Sequence, residues 1–145
     1  MAYLDANVLV PLVVPEPLSS QIERWFDRAN RDGEDLVISD WCLTEVASAL
    51  GIKCRQNRLT PRDMARALET AMSTAEDVFR VVAPRRADYR RATEFLAQPA
   101  LGLRAGDALH LAVAVGAEAG PVVTLDKTML RAARRLGIEA VDPNG

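Results

Sequence analysis

Apolar residues in this chain fall into short continuous runs, separated by longer stretches in which they recur every three or four positions. The runs Ala2 to Leu4, Leu36 to Ser39, Phe79 to Val82, Val122 to Leu125 and Ile138 to Val141 predict strands, with helices between them. Leu18, Ile22, Trp25, Phe26 and Ala29 lie on one helical face, which the polar stretch 30–35, with Gly33, brings to a stop. Asp40 is placed to cap a helix over Trp41 to Gln56, and Thr60, Pro61 and Asp63 form the start of another over Pro61 to Val78. Beyond Pro84, Ala92, Phe95 and Leu96 mark a helix that ends at the break Pro99 to Gly102. Arg104 to Ala119 and Lys127 to Leu136 complete the set, with Gly137 as a C-terminal cap. Val8 to Val14 is also apolar, but Pro11 interrupts it and no basic residue precedes it, so it fails as a secretory leader.

Strands alternating with helices imply an α/β fold, a parallel sheet covered on both faces, because each crossover lays a helix on one face. With 145 residues, 49% of them apolar, the chain suffices for one core and is too short for two, so a single domain over 1–145 is expected. A net charge of -2 argues against coating nucleic acid nonspecifically, which rests on broad phosphate neutralisation, so any such contact must be local. Cys42 and Cys54 have no metal-ligand spacing, and reduced thiols in a cytoplasmic protein are the default. No run is long enough to span a membrane.

Against this background four acids stand at the edges of apolar elements. Asp5 and Asp126 close two of the strands, and in open parallel sheets ligands bind beyond the carboxyl ends of strands. Glu45 shares a helical face with Trp41, Cys42, Ala49 and Ile52, which points it inward, and Asp107 begins the apolar segment that runs through Leu111 and Ala114. Singly each has a plain structural role: Asp126 an N-cap, Asp5 a turn residue, Glu45 half of an ion pair with an arginine, Asp107 a first-turn partner of the helix dipole. Jointly they would repel by about 4 kcal/mol per pair at ~4 Å and an effective dielectric near 20, a conflict that a divalent cation removes. An oxygen-only set selects magnesium, or manganese, over zinc, and the one histidine, His110, fits a core or supporting place better than a ligand's.

The motifs Leu4-Asp5-Ala6-Asn7-Val8-Leu9, Thr44-Glu45, Arg104 to Ala112 with Asp107 inside, and Thr124-Leu125-Asp126-Lys127 resemble, in order and spacing, those of PIN-domain ribonucleases, specifically VapC-type toxins. The resemblance covers the whole chain. It implies a three-layer α/β/α sandwich with a five-stranded parallel sheet in order 3-2-1-4-5, in which Asp5 and Asp126 stand side by side while Glu45 and Asp107 reach in from helices. It also implies a homodimer and a VapB-type antitoxin. Asn7 stands where relatives often have Ser or Thr; an amide there can bind a metal-held water, and Thr124 can orient Asp126.

By this reading magnesium activates a water for attack on an RNA phosphodiester, leaving a 5′-phosphate and a 3′-hydroxyl. Arg86, Arg90 and Arg104 are the candidate RNA contacts, set against the ordinary role of arginine on a solvated surface. Two alternatives stay open: a stand-alone PIN nuclease for RNA processing, and a catalytically silent PIN-like module that binds a protein. A phosphatase of the haloacid-dehalogenase type is disfavoured, because Asn7 replaces its second acid.

Overall fold

Side chains alternate across a strand, and that alternation divides the core in two. In the computed structural model, which describes residues 1–145, β1 (Ala2–Leu4) turns Ala2 and Leu4 to one face of the sheet and Tyr3 to the other. β2 (Leu36–Ser39) does the same with Leu36 and Ile38 against Val37. β3 (Arg80–Val82), β4 (Val122–Val123) and β5 (Ala140–Val141) complete a sheet in the order β3-β2-β1-β4-β5, parallel throughout. The expected order 3-2-1-4-5 is therefore the observed one.

The Leu4 face is covered by α1 (Ala6–Val13), α2 (Ser19–Arg31), α3 (Asp40–Arg55) and α4 (Pro61–Val78), through residues such as Val8, Ile22, Val46, Leu50 and Ala71. The Tyr3 face is covered by α5 (Arg86–Leu96), α6 (Ala105–Gly116) and α7 (Lys127–Arg135), through Ala92, Leu111, Val113 and Met129. Three layers result, as the sequence implied.

The departures from the sequence reading are local. Val8 to Val14, assigned no element, belongs mostly to α1, a helix that carries Pro11 inside it. Proline removes the N–H that would reach back four residues and its ring crowds the carbonyl there, yet Val8, Leu9 and Val10 are buried and hold the two-turn helix by tertiary packing. Ser39, not Asp40, caps α3: its Oγ accepts the Cys42 N–H at 3.3 Å, leaving Asp40 as an acid in the first turn. β3, β4 and β5 are shorter than their apolar runs, because Phe79, Leu125 and Ile138 pack without pairing. Gly137, at φ +70°, ends α7 as expected.

The start of α4 follows the sequence reading, with Thr60 Oγ1 accepting the Asp63 N–H at 3.1 Å and donating to Asp63 Oδ2 at 2.7 Å. Thr60→Ala removes that cap and should lower the unfolding free energy by about 1 kcal/mol in urea denaturation, with an unchanged m-value.

Candidate metal centre

Asp5 follows β1 directly, and its N–H donates to Val123 O at 3.1 Å, so β4 fixes the backbone from which the carboxylate projects. It occupies the cap position of α1 without making a side-chain cap bond, which leaves its oxygens for the site. One of them, Oδ2, accepts from Thr124 Oγ1 at 2.7 Å. The Thr124 hydroxyl in turn accepts from Asn7 Nδ2 at 3.1 Å and from the Asp126 N–H at 3.0 Å, which fills its one donor and two acceptor positions. Asn7 Oδ1 takes the Leu125 N–H at 3.0 Å. Thr124 therefore orients the Asp5 carboxylate itself and the backbone of Asp126, and the Asn7 amide ties α1 to the end of β4.

Glu45 comes from the other direction, on α3. It stands at the edge of the core, not within it, and its side chain is 30% exposed. Its partner is a histidine where an arginine was the alternative: His110 Nε2 lies 2.6 Å from Glu45 Oε2 and 3.3 Å from Asp5 Oδ1. His110 is completely buried, and its Nδ1 meets the Tyr3 hydroxyl at 2.9 Å, which meets Ser39 Oγ at 2.8 Å. One ligand atom from each of Asp5, Glu45 and His110 falls within 4.8 Å of the others. His110, expected in a supporting place, lies in direct contact with two acids; its position three residues after Asp107, on the same helical face, is the sequence signal for this.

Asp107 sits in the first turn of α6 and accepts the Arg104 N–H through Oδ2 at 3.2 Å. With Asp5, Asn7, Val10, Glu45 and Ile52 it bounds a cleft of about 280 Å³ at the carboxyl edge of the sheet. Asp126 is placed beside this group but does not line the cleft: its Oδ1 accepts the Thr128 and Met129 N–H groups at 2.6 and 2.9 Å and caps α7.

Electrostatics record the crowding. Burial pushes the Asp5 carboxyl above its usual range and the Glu45 charge adds to this, against the pull of His110 and Thr124. Asp107 is likewise raised, first by burial and then by the charges of Asp126, Asp5 and Glu45, against its bond from Arg104. For His110 burial favours the neutral ring, but the Glu45 hydrogen bond and the charges of Asp5, Glu45 and Asp107 outweigh it and raise the pKa. One imidazolium cannot balance three or four carboxylates, and the donor set, mostly oxygen with the excess negative, suits a hard divalent cation.

The arginines are spread apart. Arg104 precedes α6, exposed, next to Asp107. Arg86 and Arg90 lie on α5, exposed, but the adjacent Arg85 hydrogen bonds to Gly116 O, nine residues and about 13 Å along α6 from Asp107. The first turn of α5 is therefore at the far end of α6 from Asp107. A larger hollow of about 530 Å³ opens there, but the Arg85 and Asp88 that line it are already paired with each other.

The model of the PIN domain family matches residues 2–135. The chain belongs to the PIN-domain family. Solved structures agree on the fold of this PIN domain. FitAcB from Neisseria gonorrhoeae is 18% identical with a TM-score of 0.75, over 99% of this chain and 98% of that one. VapC20 from Mycobacterium tuberculosis, described as a sarcin-ricin loop cleaving toxin, is 16% identical with a TM-score of 0.73, over 91% and 95%. PAE2754 from Pyrobaculum aerophilum is 25% identical with a TM-score of 0.64, over 97% and 84%. No curated protein sequence matches the chain.

The raised pKa values fix how the metal-free PIN domain responds to pH. Groups whose pKa is raised on folding stabilise the fold fully below their unfolded pKa and lose that contribution as pH climbs through the folded value. Asp5 and Asp107 lose it from the ordinary carboxylate range upward and His110 from the ordinary histidine range upward, all in the same direction. In EDTA the melting temperature should therefore fall between pH 6 and pH 8, which thermal melts across that range measure.

Proposed function

We propose that this PIN domain is a magnesium-dependent endoribonuclease toxin of the VapC type, neutralised by an antitoxin. The observation that carries the reading is the convergence of Asp5, Glu45 and Asp107 on one cleft, with two of the three carboxyls raised by burial and mutual repulsion. Asp5, Glu45 and Asp107 would hold the cation, with Asp126 beside them. Bound there, magnesium or manganese would supply positive charge that acidifies a water and offsets charge developing on the phosphodiester.

The protein's own groups do the positioning. Thr124 holds one oxygen of Asp5, Oδ2, and so fixes the orientation of the carboxylate. His110 spans Asp5 and Glu45, holding the acids together when no cation does so. Asp126 acts through its charge and through the N-terminus of α7. Arg104, exposed and bonded to Asp107 through its own backbone N–H, is the best placed of the three arginines to meet an RNA phosphate.

An antitoxin partner is supported by the neighbours, which include a FitAB complex on a DNA fragment and the Rickettsia felis VapBC2 complex on a fragment of its promoter, the latter 14% identical with a TM-score of 0.70. The homodimer rests on the family resemblance and the cytoplasmic setting on the reading of Cys42 and Cys54 as reduced thiols; no helix is long and apolar enough to cross a membrane.

Purified protein should cut RNA in magnesium, lose this in EDTA, and leave 5′-phosphate ends. Asp5→Asn and Asp107→Asn should each lower cleavage by orders of magnitude and abolish growth arrest on expression. An Asp107→Asn protein that cut the same RNA at the parent rate would contradict the site.

Arg104→Ala should weaken RNA binding and reduce the salt slope by about 0.7 per lost contact to a single strand. The pair Arg86→Ala with Arg90→Ala should change the slope less. Fluorescence anisotropy with a short RNA over a range of salt concentrations measures both.

A further inference from the structure

Beside the acids lies a buried donor that nothing satisfies. Trp41 Nε1 is the one buried side-chain nitrogen or oxygen in the protein without a hydrogen-bond partner. Such a group is costly and rare enough to require a reason. Trp41 is the second residue of α3, one turn before Glu45, and its ring packs against the core on the Tyr3 face of the sheet.

Gly106 points to the same place. A Cβ built on Gly106 would come within 3.5 Å of Trp41 Nε1 and would overlap Glu45 Oε1. Gly106 is the second residue of α6, and its backbone is not in the left-handed region that favours glycine. Its missing side chain therefore meets a requirement for space, and the occupant of that space is the Glu45 carboxylate.

We propose that Gly106 and Trp41 are positioning residues for Glu45. Gly106 leaves the recess that holds Oε1, and the Trp41 N–H is a second partner that the carboxylate takes up when a divalent cation engages the site. The two oxygens of Glu45 have different neighbours. Oε2 is bonded to His110, and Oε1 lies in the recess beside the indole. A cation that takes up Asp5 and Glu45 competes with His110 Nε2 for the same oxygens. Released from the imidazole, the carboxylate can turn on its flexible stem until Oε1 accepts from Trp41, which satisfies the orphaned donor and fixes the ligand's orientation. Hydrogen bonds of this kind to a metal-binding carboxylate typically govern affinity.

The inference rests on the metal-centre reading, and magnesium alone is the probe. In a Trp25→Phe background, the indole N–H resonance of Trp41 should move downfield on adding MgCl2, with the same midpoint as binding measured by calorimetry. Trp41→Phe, which keeps most of the ring, should weaken magnesium roughly 10–100-fold without lowering the melting temperature in EDTA, because it also removes an unsatisfied donor. Gly106→Ala should fold and melt at or above the parent in EDTA, since alanine favours the helix and only the far end of Glu45 must give way, yet bind magnesium at least as poorly as Trp41→Phe. If the parent protein binds no magnesium, the metal reading and this inference fall together. If it binds magnesium while the indole resonance stays still, or Gly106→Ala binds as the parent does, the inference alone is overturned.

Discussion

The arrangement of this protein depends on one conflict: carboxylates from four elements are drawn to one edge of a sheet, where burial and neighbouring charges push the carboxyls of Asp5 and Asp107 above their usual range. Asp5 comes from the end of β1, Glu45 from α3, Asp107 from the start of α6, and Asp126 from the turn after β4. The neighbouring structure restrains that repulsion. Thr124 takes one oxygen of Asp5, His110 lies between Asp5 and Glu45, the Arg104 N–H takes one oxygen of Asp107, and two N–H groups of α7 take one of Asp126. Each bond stabilises the negative charge of one carboxylate, and none of the neutral donors cancels it. What remains is a cleft lined by the carboxylates of Asp5, Glu45 and Asp107, the feature on which the proposed cation site rests.

The parallel sheet makes this possible. Strand order β3-β2-β1-β4-β5 puts β1 and β4 side by side, so Asp5 and Thr124 meet across a strand pair even though they are 119 residues apart in sequence. The order reverses direction at that pair, which is where the ends of the connecting segments diverge and leave room for a ligand. α3 and α6 approach the gap from opposite faces of the sheet. Gly106 and Trp41 lie where the two helices meet, and small size at one position and a buried N–H at the other both concern Glu45.

Much of this was legible in the sequence, for reasons that can be named. Strands buried on both faces appear as continuous apolar runs, and helices between them show a period near four, so element order and sheet class followed. The four acids were visible because each interrupts an apolar element at its end. α1 was missed because proline and a short length hide a helix held by tertiary packing. The cap of α3 falls on Ser39 and not on the expected Asp40 because both residue types cap helices and only the backbone turn distinguishes them. The orientation of His110 toward Asp5 and Glu45 is set by the Tyr3 hydroxyl at its Nδ1, itself bonded to Ser39, and these two residues belong to different strands. That α5 starts beside the end of α6, away from Asp107, depends on the two helices running antiparallel, which proximity in sequence does not reveal.

The most direct test compares thermal melts of the parent protein and Asp107→Asn at pH 7.5, each in EDTA and in excess magnesium. Crowded acids predict that the mutant melts above the parent in EDTA, because one repelling charge is gone, and that it gains less from magnesium, because stabilisation follows RT ln(1 + [L]/Kd) and its Kd has risen. Acids serving unrelated structural roles predict the opposite sign: a mutant melting below the parent in EDTA, with neither protein responding to magnesium, would contradict the account.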